Sequence, residues 1–151
     1  MKIIIQRVNQ ARVTVESKLV GEIQRGALVF LGISKDDTQK EADYLVKKIV
    51  DLRMFDDSEG NLNLSAKDIG AAFLVVSQFT LYGNCTKGRR PSFDKAAAPP
   101  VAEELYNYFL NALKLQEVKV ESGMFRAMMQ VELINDGPVT FILDSHDNKN
   151  I

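Results

Sequence analysis

Two stretches of this chain are apolar almost without interruption, Gly26–Ile33 (GALVFLGI) and Ala72–Ser77 (AFLVVS). Runs of six to eight such residues read as strands covered on both faces. A strand covered on both faces needs a layer on either side, which argues against a helical bundle and against a sheet with one wet face. Further strand-like runs surround these two. Ile3–Val8, Ala11–Val15 and Leu19–Ile23 are short, β-branched and punctuated by polar pairs, the pattern of a meander. Val118–Glu121, Met129–Ile134 and Val139–Asp144 close the series, and Asp56–Asn61 (DDSEGN) reads as a turn between two short strands.

Only two segments carry helical spacing. After the N-capping oxygens of Asp36, Asp37 and Thr38, the residues Ala42, Leu45, Val46, Ile49 and Leu52 fall on one face. Pro99 and Pro100 suit a helix start, and Leu105, Tyr108, Phe109 and Ala112 form the expected apolar stripe behind them. Many strands and two main helices predict an α+β domain whose antiparallel-rich sheet curls or closes into a barrel. A length of 151 residues is about one domain's worth. The expected domain spans 1–145, with 146–151 as a tail that frays. The opening apolar run is broken by Arg7 and Arg12, too early for a signal peptide or a spanning helix, so a soluble, cytoplasmic protein without a membrane partner is expected.

Composition then removes several chemistries. One Cys (Cys85) permits no intrachain disulfide and no Cys-based zinc site, and one His (His146) removes most His-centred metal sites. No metal and no cofactor are expected. A Cys–His or Ser–His–Asp arrangement would need His146 as its base, yet His146 sits in the predicted tail. A hydrolase built from this chain therefore works without a side-chain base. The net charge of −1 announces no nucleic-acid binder, so any anion site must be local.

Two segments stand out. The first runs from Ser77 to Phe93 (SQFTLYGNCTKGRRPSF), beginning where an apolar strand ends. Ser77 and Thr80 supply hydroxyls, Gln78 an amide, and the backbone amides of Phe79 and Thr80 are candidate oxyanion donors. The same residues equally suit plain strand-end hydrogen bonding. Farther along, Lys87, Arg89, Arg90 and Lys95 stand against Asp94 alone, a charge pattern that fits a phosphodiester backbone or a solvated loop. The second segment is Asn135-Asp136-Gly137-Pro138-Val139-Thr140. Read locally, Asp-Gly between two apolar runs is an ordinary hairpin turn, although Pro138 removes a donor where the returning strand should pair.

Taken together, SQFTLYG and NDGPVT, with Ile5-Gln6-Arg7-Val8, Gly26–Gly32 and Leu52-Arg53-Met54-Phe55, resemble the D-aminoacyl-tRNA deacylase family over essentially the whole chain. The resemblance implies a homodimer whose active site draws on both subunits. Ser77, Gln78, Phe79 and Thr80 match the catalytic pocket motif, and Met129 matches a methionine lining the adenosine pocket. Gly137-Pro138 matches a cis peptide motif that reaches into the partner's pocket and excludes L side chains, and Arg7 an arginine that fixes it. The implied reaction is hydrolysis of the ester of D-aminoacyl-tRNA, and of mischarged glycyl-tRNA, with the substrate's 2′-hydroxyl helping to activate water. Lys87, Arg89 and Arg90 become candidate tRNA contacts. One stretch departs from the family pattern. In Phe125-Arg126-Ala127-Met128-Met129, Arg126 and Met128 replace a glycine and an acidic residue. The rival expectation is a binding module that holds nucleic acid through loop 86–95 without turnover.

Overall fold

The computed structural model describes residues 1–86 and 88–147. Its first element, β1 (Lys2–Val15), unites two runs that the sequence separates. The alternation of buried and exposed residues slips where Arg7 and Val8 are both buried and Asn9 and Gln10 both exposed. That slip looks like a strand break in sequence and is a bulge in space. A two-residue turn follows, with Glu16 and Ser17 at φ 49° and 64°. This is the left-handed geometry that tight hairpins require. β2 (Lys18–Ile23) and β3 (Gly26–Gly32) then both run antiparallel to β1, Ala11 opposite Ile23 and Val8 opposite Gly26. They act as one long return strand interrupted at Gln24-Arg25.

α1 (Gln39–Asp51) starts at Thr38, whose capping box with Glu41 is complete, and buries Ala42, Leu45, Val46, Ile49 and Val50. The short strands β4 (Phe55–Asp56) and β5 (Leu62–Leu64) flank the expected turn, and a one-turn helix α2 (Ala66–Ile69) follows. β6 (Ala72–Ser77) lies parallel to β3, and β7 (Val120–Ser122) parallel to β6. Between them comes α3 (Pro99–Lys114), which starts at the two prolines but is rotated from the expected stripe. It buries Leu105, Tyr106, Phe109, Leu110 and Leu113. Tyr108 is turned toward α1, donating to Asp43 Oδ1 at 2.9 Å, while the Tyr106 hydroxyl finds the Val75 carbonyl at 2.8 Å.

β8 (Met129–Asp144) pairs with the free edge of β1 along its whole length. The sheet order is β2-β1-β3-β6-β7 with β8 on β1. β2 folds back over β7 to close a barrel. At that crossing a Cβ on Gly21 would stand 2.5 Å from the Ser122 carbonyl oxygen, so only glycine allows the approach. Two cores result. Alternate residues of β3 and β6 (Ala27, Val29, Leu31; Phe73, Val75) meet the helices, while Leu28, Ala72, Leu74 and Val76 fill the barrel with Val8, Ala11, Val13 and Ile23. The α+β, barrel-like expectation therefore stands, with α2 as a third, short helix. No helix among the described residues is long and apolar enough to cross a membrane.

Candidate active site

Ser77 ends β6 beside Leu31 of β3, and the Gln78 amide donates to the Leu31 carbonyl at 2.8 Å. The chain then tightens into a 3-10 turn over Phe79–Tyr82, with Leu81 N bonding Gln78 O and Gly83 N bonding Thr80 O. The amides of Phe79 and Thr80 stand ahead of the first bond of that turn, where helical termini present unpaired donors. Two adjacent amides on the rigid end of a central strand can face a developing oxyanion without reorganising. The Gln78 side-chain amide donates to the Thr80 hydroxyl, so the hydroxyl is engaged within the motif. Phe79 is exposed and packs edge-on against Phe93, ring centres 4.9 Å apart. That contact ties the pocket motif to the far end of the basic loop, whose base is closed by the Asn84–Ser92 bridge.

The Gly137-Pro138 segment is not a hairpin. β8 continues straight through it against the same strand β1, with Gln6 opposite Thr140 and Val8 opposite Asn135. Between these pairs one residue of β1, Arg7, faces four of β8, Asp136 to Val139, and the surplus bulges outward with Gly137-Pro138 cis and exposed at its crest. Pairing of both flanks with β1 overrides the local turn signal. Arg7 clamps the bulge from beneath. Its side chain is buried, Nε lies 3.0 Å from both the Asp136 carbonyl and Asp136 Oδ2, and Nη1 donates to Met54 O (3.1 Å) and Asp56 Oδ1 (3.0 Å). In return Asn135 Nδ2 donates to the Arg7 carbonyl at 3.0 Å.

Within one chain the bulge and the pocket motif stay apart. Arg7 pairs with Ala27 at the start of β3, whereas Ser77 pairs with Leu31 near its end. The bulge also lies on β8 and the motif on β6, three strand spacings away. The path along the sheet is about 20 Å. Met129, by contrast, is brought to the pocket end. Gly123 donates to Val75 O at 3.0 Å, and a Cβ on Gly123 would meet Met129 Sδ at 2.5 Å, so the thioether lies against the strand that leads to Ser77. Arg89 and Arg90 are exposed in the basic loop, as is Cys85, while Lys87 lies outside the described residues.

Comparison with known proteins decides what this arrangement belongs to. The D-Tyr-tRNA(Tyr) deacylase family matches residues 4–144. The D-aminoacyl-tRNA deacylase of Thermosipho africanus is 55% identical over 145 residues, covering 96% of this chain and 97% of the relative. That of Koribacter versatilis is 54% identical over 145 residues, covering 96% and 97%. This chain belongs to the D-aminoacyl-tRNA deacylase family. Its activity is hydrolysis of the ester of D-aminoacyl-tRNA, and an aminoacyl-tRNA is its substrate. A solved structure titled c-Myc DNA Unwinding Element Binding Protein superposes with a TM-score of 0.89 at 44% identity, over 95% of this chain and 98% of that one. A probable eukaryotic D-amino acid tRNA deacylase shares the fold, with a TM-score of 0.82 at 20% identity over 94% and 97%.

Other residues take places in the fold that the sequence did not signal. Asp37, read as an N-cap oxygen, is buried. It pairs with the Met1 ammonium, accepts from Ser34 N at 2.6 Å and lies 2.7 Å from His146 Nε2. His146 is thus bonded to Asp37, in a cluster that also holds the Met1 ammonium and the Ser145 hydroxyl. Residues 148–151 of the expected tail lie outside the described residues. Tyr82, at the end of the pocket turn, is buried with a hydroxyl that has no partner among the described residues. Burial and neighbouring Asp37 hold its phenol well above the usual range. Arg126 adopts φ 61°, a conformation suited to glycine, in a turn closed by Ala127 N to Met124 O at 3.2 Å. No group of three or more His, Cys, Asp or Glu among the described residues is placed to hold a metal.

Proposed function

We propose that the deacylase works as a homodimer in which each pocket is built by Ser77–Thr80 of one subunit and gated by Gly137-Pro138 of the other. The observation that carries this reading is the separation of about 20 Å along the sheet between the pocket motif and an exposed bulge that Arg7 holds rigidly. A rigid, solvent-facing backbone crest has no task within its own chain; placed over a second copy's pocket, its carbonyl oxygens exclude an L side chain by steric clash. A D side chain points away from them, and glycine offers nothing to exclude, so mischarged glycyl-tRNA is also a substrate. Selection is thus achieved by rejection rather than by added affinity.

For the chemistry, the terminal adenosine lies along Met129 and the scissile carbonyl faces the amides of Phe79 and Thr80. Attack by water places negative charge on the carbonyl oxygen, where those amides stabilise it. The substrate's own 2′-hydroxyl orients the water, consistent with a pocket motif that holds no imidazole. Removing one oxyanion donor from an acyl-transfer site costs about 2.7–4 kcal/mol of barrier. Lys87, Arg89 and Arg90 meet the tRNA backbone from the loop that Phe93 ties to Phe79. The enzyme acts in the cytoplasm, where aminoacyl-tRNA is made and used.

The test is deacylation of D-tyrosyl-tRNA beside its L isomer. Turnover of the D ester alone is the expected result, and equal turnover of both would sink the steric gate. A second reading, nucleic-acid binding without turnover, draws on the likeness to the c-Myc DNA unwinding element binding protein. Binding of tRNA with inertness toward both esters would favour it.

A further inference from the structure

We propose that the groove beside the turn joining β7 to β8 seats the nucleotide that precedes the terminal adenosine of the tRNA. The inference rests on the pocket reading above and extends it by one residue of the substrate. The groove, about 410 Å³ in volume, is lined by Val15, Glu16, Lys18, Val20, Met124, Ala127 and Met128. Its position follows from the sheet. Ser122 pairs with Val75 and Gly123 bonds the Val75 carbonyl, so Met124 carries on alongside the end of β6 where the pocket motif begins. Met129, assigned to the adenosine, stands opposite Val15 across the β1–β8 ladder, so the adenosine site and the groove wall share a face. A substrate whose last nucleoside lies at Met129 must place its preceding nucleotide one phosphodiester away.

The chemistry of the groove suits that occupant. Met124 and Met128 are 50% and 92% exposed, two large apolar side chains of the lining left in water. Thioethers make favourable contacts with the faces and edges of flat aromatic rings and adapt to any of the four bases. Lys18 on the wall supplies a cation for the connecting phosphate, and Arg126, which lies between the two methionines in the sequence and holds a left-handed backbone conformation, offers a second. An amino-acid side chain of the substrate would use the apolar walls and leave the cations idle. A nucleotide uses both.

The test compares two small esters, 3′-O-D-tyrosyl adenosine and the D-tyrosyl ester of the dinucleotide cytidylyl-adenosine, on the intact enzyme and two variants. The unaltered enzyme is expected to show a KM about tenfold lower for the dinucleotide ester, following the usual worth of seating one base. Met124→Ala with Met128→Ala should erase that advantage, leaving kcat on both esters and KM on the adenosine ester within about twofold, as expected for binding uniform between ground and transition states. Arg126→Ala should lower the salt dependence of the dinucleotide KM by about one phosphate contact, a slope change of roughly 0.7. Equal KM values for the two esters on the unaltered enzyme would overturn the groove assignment alone. Equal losses on both esters in the double methionine variant would overturn it too, by showing damage to the pocket. Inability of the unaltered enzyme to hydrolyse the adenosine ester would overturn the pocket reading and this inference with it.

Discussion

Replacing Arg7 by Lys isolates what the clamp beneath the bulge contributes. The guanidinium reaches in two directions, Nε to Asp136 and Nη1 to Met54 O and Asp56 Oδ1, with bonds of 3.0–3.1 Å. A lysine ammonium keeps the charge but is a single point, and it cannot serve both sides at once. Hydrogen bonds to charged groups contribute about 1.5–3 kcal/mol each, and breaking a buried pair costs roughly 3–5 kcal/mol. Asp56 and Asp136 keep 42% and 31% exposure and so recover part of their hydration. The expected loss is therefore near the lower end, about 2–3 kcal/mol. A domain with roughly 5–15 kcal/mol of stability survives that loss, so the variant should fold. Urea unfolding at fixed protein concentration should show a lower midpoint with an unchanged slope. Deacylation should show L-tyrosyl-tRNA becoming a substrate as the crest loosens, while the D ester is still turned over. A variant with unaltered stability and intact discrimination would refute the claim that Arg7 holds the gate.

Four other outcomes follow from the same geometry. Thr80→Pro removes an amide ahead of the pocket turn and should lower kcat by about 10²–10³, whereas Thr80→Ala, which keeps the amide, should stay within a few-fold in steady-state deacylation. Gly26→Ala places a Cβ 2.0 Å from the Ala72 carbonyl oxygen, backbone against backbone, and should cost about 3 kcal/mol, measurable as a lowered melting temperature. His146→Ala should leave turnover unchanged while costing about 1 kcal/mol of stability through loss of its bond to Asp37. Burial raises the Tyr106 phenol to about 12, so the folded form keeps a proton the unfolded chain releases near 10; that stabilisation is full below pH 10 and lost as pH rises toward 12, which alkaline unfolding followed by tyrosinate absorbance would register.

Local physics made much of the scaffold legible. The bounds of β6, the cap at Thr38 and the turn at Asp56–Asn61 all depend on neighbours within a few residues, and the structure keeps each of them. Features set by distant partners were less legible. Asp136-Gly137 carries a hairpin signal, but β1 pairs with both flanks and turns the segment into a bulge. Asp37 carries a capping signal, but a buried ammonium 36 positions away claims its carboxylate. The α3 stripe is rotated because Tyr106 has a carbonyl to reach inside and Tyr108 a carboxylate to reach outside. At the site, the pocket motif was readable as strand-end polar residues followed by glycine, while its distance from Gly137-Pro138 depends on sheet order and could not be read from spacing.

Mixed dimers test the central claim most directly. One subunit carries Thr80→Pro, which disables its pocket. The other carries Gly137→Val, which puts a branched side chain on the crest itself and whose Cβ, 2.9 Å from Asn135 Oδ1, turns aside the side chain that bonds the Arg7 carbonyl. Purified heterodimers should hydrolyse D-tyrosyl-tRNA at about half the unaltered rate and reject the L ester, because the intact crest of the first subunit gates the intact pocket of the second. Heterodimers that hydrolyse the L ester at about half the rate of the Gly137→Val homodimer, which has two working pockets to their one, would show that crest and pocket act within one chain, and would contradict the account.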